Sequence, residues 1–79
     1  MEVSITTPDK LIYQGEAQLV QFPGFDGSFA IMENHAPLIS VLKKGEVRIV
    51  ESKNQNEVFV PIGGGVVEVS KNKIVLLAQ

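Results

Sequence analysis

The chain has no cysteine and no tryptophan, one histidine, one tyrosine and no excess of positive charge. Each shortage removes a class of function. Without cysteine there is no disulfide staple and no thiolate metal site, a composition that fits a reducing compartment. Without tryptophan, and with a single tyrosine, there is little from which to build the aromatic platform of a carbohydrate or peptide reader. A formal net charge of −2 gives no electrostatic case for nucleic acid or an acidic membrane. The apolar runs fall far short of the ~20 residues that a membrane helix needs, so direct insertion in a membrane is not expected. The start, Met1-Glu2-Val3-Ser4-Ile5, lacks the basic segment and apolar stretch of a signal peptide.

What is present is alternation. Seventy-nine residues make one domain, 1–79. A chain of that size buries only about 60% of its unfolded surface and is marginal without a partner. Val3 and Ile5 alternate with Glu2 and Ser4 as in a half-buried strand. Thr7-Pro8-Asp9-Lys10 reads as a turn and Leu11–Gln14 as a second strand. A break or bulge is expected at Gly15-Glu16, with a third strand over Glu16–Phe22. That third strand is apolar on both faces, as where a strand passes from one sheet to another. Ser28–Ile31, Leu38–Leu42, Glu46–Glu51, Glu57–Pro61, Val66–Val69 and Lys73–Leu77 follow, separated by polar or glycine-containing turns. No twelve residues keep a helical period. The expectation is an all-β chain, a flattened β-sandwich or barrel of about eight to ten short strands.

Reacting groups are scarce. His35 with Ser28, Ser40 or Glu33 is the nearest approach to a hydrolytic triad, but no Gly-x-Ser-x-Gly setting surrounds either serine. A lone histidine before Ala-Pro reads better as a hydrogen-bonded loop anchor. One histidine and scattered carboxylates support no metal site. Gly63-Gly64-Gly65 lacks the Lys-Ser/Thr ending and the helix of a phosphate loop, and reads as a bulge or a close approach of another backbone. No cofactor and no catalytic residue are expected. The residues themselves leave three readings open: a subunit that docks on a larger partner, an independent binding module, and a hydrolase built on His35.

The stretch Pro23–Gly45 concentrates the turn residues, the histidine and two of the phenylalanines, and loops of that kind carry recognition. Several pieces in order resemble one family: Ile5-Thr6-Thr7-Pro8-Asp9-Lys10-Leu11, Gly15-Glu16-Ala17, Asp26-Gly27-Ser28-Phe29-Ala30-Ile31, His35-Ala36-Pro37-Leu38, Lys44-Gly45-Glu46-Val47-Arg48-Ile49 and Gly63-Gly64-Gly65-Val66-Val67-Glu68-Val69. Together they resemble the β-sandwich of the epsilon subunit of the F-type ATP synthase, called delta in mitochondria. The resemblance implies a non-catalytic subunit of the central stalk, turning with the rotor and coupling proton flow to ATP synthesis. It implies the gamma subunit and the c-subunit ring as partners, and a peripheral place on the cytoplasmic face of the bacterial inner membrane. By position, His35, Ala36, Pro37 and Leu38 would meet gamma. Gly24, Phe25, Asp26, Gly27 and Ser28 would meet the c ring, with Glu33 from the facing loop beside them. Many relatives carry an acidic residue at Ser28 and Pro-Gly at Glu33-Asn34, and most continue into a C-terminal helical hairpin. The expectation here is a short form, with no inhibition by such a hairpin and no nucleotide site.

Overall fold

The computed structural model describes all 79 residues and contains only strands and turns. The strands are β1 (Glu2–Thr6), β2 (Leu11–Phe22), β3 (Phe29–Met32), β4 (Leu38–Leu42), β5 (Gly45–Glu51), β6 (Glu57–Ile62), β7 (Gly65–Ser70) and β8 (Lys73–Ala78). They run side by side in the order β4-β7-β8-β1-β2-β5-β6, with β3 on β2. All pairings are antiparallel except β1 with β8, which is parallel. The path curls on itself as a flattened sandwich of 27 × 24 × 19 Å.

The fold turns on β2. Its first half pairs with β1, from Glu2 opposite Glu16 to Thr6 opposite Leu11. Its second half pairs with β5 on one side and β3 on the other. One strand thus serves both layers, as its two apolar faces imply. The expected break at Gly15-Glu16 is absent: β2 runs through Gly15, which pairs with Val3. Gly15 is needed for a different reason. Tyr13 folds over it to donate a hydrogen bond to Glu51 at 2.8 Å, and a Cβ on Gly15 would lie 2.8 Å from the tyrosine oxygen. One register shift of β2 falls earlier, against Ile5 and Thr6 of β1. The other falls further on, between Ala17 and Leu19. It turns the strand, so that Ala17, Val20 and Phe22 all point inward, whereas simple alternation puts Ala17 opposite the other two. Fusing two expected strands into one reduces the count to eight.

The core lies between the layers and contains no buried polar side chain. Phe22, Ile5, Ile31, Ile49, Ile74 and Leu76 are its largest fully buried members, and Phe22 meets Phe29 at 5.5 Å between ring centres. The glycine run is a close approach of backbones. Gly63 N–H donates to Gln79 O, Gln79 N–H donates to Gly64 O, and a Cβ on Gly65 would collide with the Leu77 carbonyl. The closing turn before β8 has left-handed residues at Lys71 and Asn72, φ 52° and 59°, the shape a two-residue hairpin favours.

Candidate functional site

Two turns flank β3. The first, Pro23–Ser28, is held by main chain. Gly27 N–H donates to Gly24 O, Phe25 N–H to Val41 O, and Lys43 N–H to Pro23 O. These bonds seat the turn on β4, where Gly24 makes an isolated bridge with Leu42. Gly24 is buried, and a Cβ there would collide with the Gly27 carbonyl and lie 2.9 Å from the Phe29 ring. Gly27 takes a left-handed φ of 129°. Pinned in this way, the turn presents Phe25, Asp26, Gly27 and Ser28 to solvent, Phe25 at 70% exposure.

The second turn, at the other end of β3, is held mainly by side chains. His35 N–H donates to Met32 O at 3.2 Å, and Asn34 sits at φ 61°. Asn72, from the β7–β8 turn, accepts from Asn34 N–H at 2.8 Å through Oδ1 and donates to Glu33 Oε2 at 3.0 Å through Nδ2. The other Glu33 oxygen accepts from the Met1 ammonium, which also donates to Ala17 O. These bonds, the amine's first and Asn72's second, hold the Glu33 carboxyl below its ordinary range. His35 is exposed. Its Nδ1 lies 2.7 Å from the Ala36 carbonyl, which can only accept, so Nδ1 carries the proton. No serine or carboxylate is bonded to that ring. The His35 ring therefore bonds only within its own loop and ties that loop to no other part of the chain, less than the anchoring role the sequence suggests.

The structure separates Glu33 from the group proposed around the first turn. The four residues of β3, about 13 Å of strand, stand between them. What joins the two turns is β4. One groove of about 330 Å³ runs along β4 beside Phe29, Ile31, His35 and Leu38; a second of the same size lies between β4 and Gly24–Gly27. Ile39 and Ser40 line both. Because Val41 O accepts from Phe25 on the side of β4 away from β7, Ile39, two residues earlier, turns its N–H and C=O to that same open side.

From β4 an apolar row crosses the outer surface. Val41 stands opposite Val66, Val66 opposite Leu77, Leu77 beside Thr6, and Thr6 opposite Leu11. Val41, Leu77 and Leu11 are more than half exposed, and Ile39 reaches 72%. At the far end of the same strands the surface is charged, with Glu2 beside Lys73 and Glu16. On the opposite outer face Arg48 pairs with Glu57 at 2.7 Å and donates to Gln21, and Phe59, across from Arg48, is half exposed. Sequence reading missed Ile39, Val41, Val66, Leu77 and Leu11. The signal was there in Val66-Val67 and Leu76-Leu77, where neighbours put an apolar side chain on each face of a strand.

The model of the family described as "ATP synthase, Delta/Epsilon chain, beta-sandwich domain" matches residues 1–79. The chain is 46% identical over 78 residues to the ATP synthase epsilon chain of Chlorobium limicola, covering 99% of this chain and 88% of that one. It is 38% identical over 79 residues to the epsilon chain of Brevibacillus brevis, of which it spans 59%. In fold it is similar to a chain of the Tetrahymena thermophila mitochondrial ATP synthase central stalk and c-ring, with a TM-score of 0.78, 24% identity, and coverage of 99% of this chain and 62% of that one. It also matches a chain in the OSCP/F1/c-ring structure of the Euglena gracilis mitochondrial ATP synthase. There the TM-score is 0.87 at 17% identity, covering 96% of this chain and 48% of that one.

Proposed function

This chain belongs to the ATP synthase delta/epsilon family, and we propose that its 79 residues act as a single non-catalytic domain of the rotor's central stalk, gripping gamma and resting on the c ring. The observation that carries this is the exposed apolar row from Val41 to Leu11, continuous through β4 with His35–Leu38. A monomer of this size gains nothing from keeping such a row in water. Burying a Val, Leu or Ile side chain is worth about 1.5–3 kcal/mol, so a rigid partner that covers the row is held firmly. Gamma takes that place. The first turn, with Phe25 and Asp26 exposed on a pinned backbone, meets the loops of the c ring. Torque needs a stiff body, and the all-strand frame with its closed core supplies one. In a bacterial cell the complex would hold the domain at the cytoplasmic face of the inner membrane, without insertion of its own.

Binding to purified gamma, measured by calorimetry, tests the proposal. A one-to-one complex that is lost when Val41 and Leu77 are changed together to lysine, in a chain that still melts cooperatively, is the expected result. A chain that ignores gamma overturns the proposal.

A further inference from the structure

We propose that Asn72 is a positioning residue for partner docking: its carboxamide, reaching from the β7–β8 turn, holds the Glu33–Leu38 loop in the shape that meets gamma. The inference rests on the docking role proposed above, and it concerns a residue outside both turns assigned to partners. Asn72 is nearly forty positions from the loop in sequence and uses both ends of its amide on it. Oδ1 takes the Asn34 N–H, and Nδ2 gives a proton to Glu33. Asn34 itself sits in the left-handed region, which asparagine enters readily, so its backbone suits the loop without fixing it and the bond from its N–H to Asn72 supplies the constraint. The only main-chain bond within the loop is His35 N–H to Met32 O. Released from Asn72, the segment His35–Pro37, exposed throughout, has little else to fix it.

Asn72 is free to do this because its own backbone is fixed twice. Ser70 pairs with Lys73 across the turn, and Asn72 O accepts from Glu2 N–H. The carboxamide therefore projects from a rigid corner where β8, β1 and the loop meet. A loop that is docking-competent only part of the time binds more weakly in proportion to that fraction. The latch would raise the fraction before gamma arrives, and its loss would show in association.

The test uses the full chain and gamma. Asn72→Gly keeps the left-handed turn and deletes the carboxamide. It should speed amide exchange at Asn34 and His35 in the free chain, leave the strands protected, and weaken gamma binding about ten-fold through slower association. Asn72→Asp keeps an acceptor for the Asn34 N–H but sets a carboxylate against Glu33 Oε2, so it should speed exchange and slow association as the glycine variant does. Asn72→Asp combined with Glu33→Gln, whose amide can donate to the new carboxylate and still accept from the Met1 ammonium, should regain protection and most of the association rate. Unchanged exchange at Asn34 overturns the proposal, as does lost protection with unaltered association. Should the unaltered chain fail to bind gamma, the docking role falls, whereas the exchange data still decide whether Asn72 holds the loop.

Discussion

The two turns that flank β3 do similar work by different means. Pro23–Ser28 is closed by main-chain bonds to itself and to β4, and its shape depends on the missing side chain of Gly24. Glu33–Pro37 is closed through its own Glu33 carboxylate and Asn34 N–H by a carboxamide and an ammonium drawn from two other parts of the chain. A turn made of backbone resists most substitutions and most changes of pH. A turn made of side chains can be adjusted by either. The first suits a contact that carries load, the second a contact that is tuned.

The sharpest way to break the comparison is Gly24→Ala. The new Cβ would strike the Gly27 carbonyl and crowd Phe29, and overpacking of this sort costs about 1–3 kcal/mol. Thermal melting should register that loss, while Asn34 and His35 keep their protection. Acid should do the reverse. The Glu33 carboxyl titrates lower in the folded chain than in the unfolded one, so its stabilisation is complete above the ordinary carboxylate range and is lost as pH falls through the depressed value. The groups facing it are the Met1 ammonium, Asn72 and, 3.6 Å from that same ammonium, Glu16. Amide exchange followed from about pH 6 down through the depressed Glu33 titration, corrected for intrinsic rates, should show Asn34 and His35 opening while Phe25 and Gly27 stay protected. Simultaneous opening of both turns would erase the distinction.

Tyr13→Phe should touch neither turn and gives the scale. It removes the bond to Glu51, worth about 1 kcal/mol, and should lower the melting temperature without changing gamma binding. Partial burial, with the Glu51 carboxylate second, pushes the Tyr13 hydroxyl up to about 12. Its contribution is therefore whole below about pH 10 and fades as pH climbs toward 12, a fade absent from the phenylalanine variant.

Strand positions were largely legible in the sequence because alternation survives wherever one face is buried. Val58 and Val60 against Glu57, Phe59 and Pro61 is such a case, and β4 begins and ends where expected. The alternation failed at β2, where the shift between Ala17 and Leu19 adds a residue to one side, and no local signal separates that from a break at Gly15. The turn at Pro23–Ser28 was readable because glycine and proline act locally. The partners of the second turn were not, since Asn72 and Met1 reach Glu33 through the order of the strands, and the parallel pairing of β1 with β8 cannot be inferred from period alone. The apolar row was hidden for the same reason: its members come from four strands and become neighbours only in the folded register.

Amide exchange of the chain with and without gamma tests the docking face most directly. Protection should appear at Ile39 along the open side of β4 and at the outer row around Val66 and Leu77, with Arg48 and Phe59 on the opposite face unchanged. A footprint centred on Arg48 and Phe59, with β4 still exchanging freely, would contradict the account.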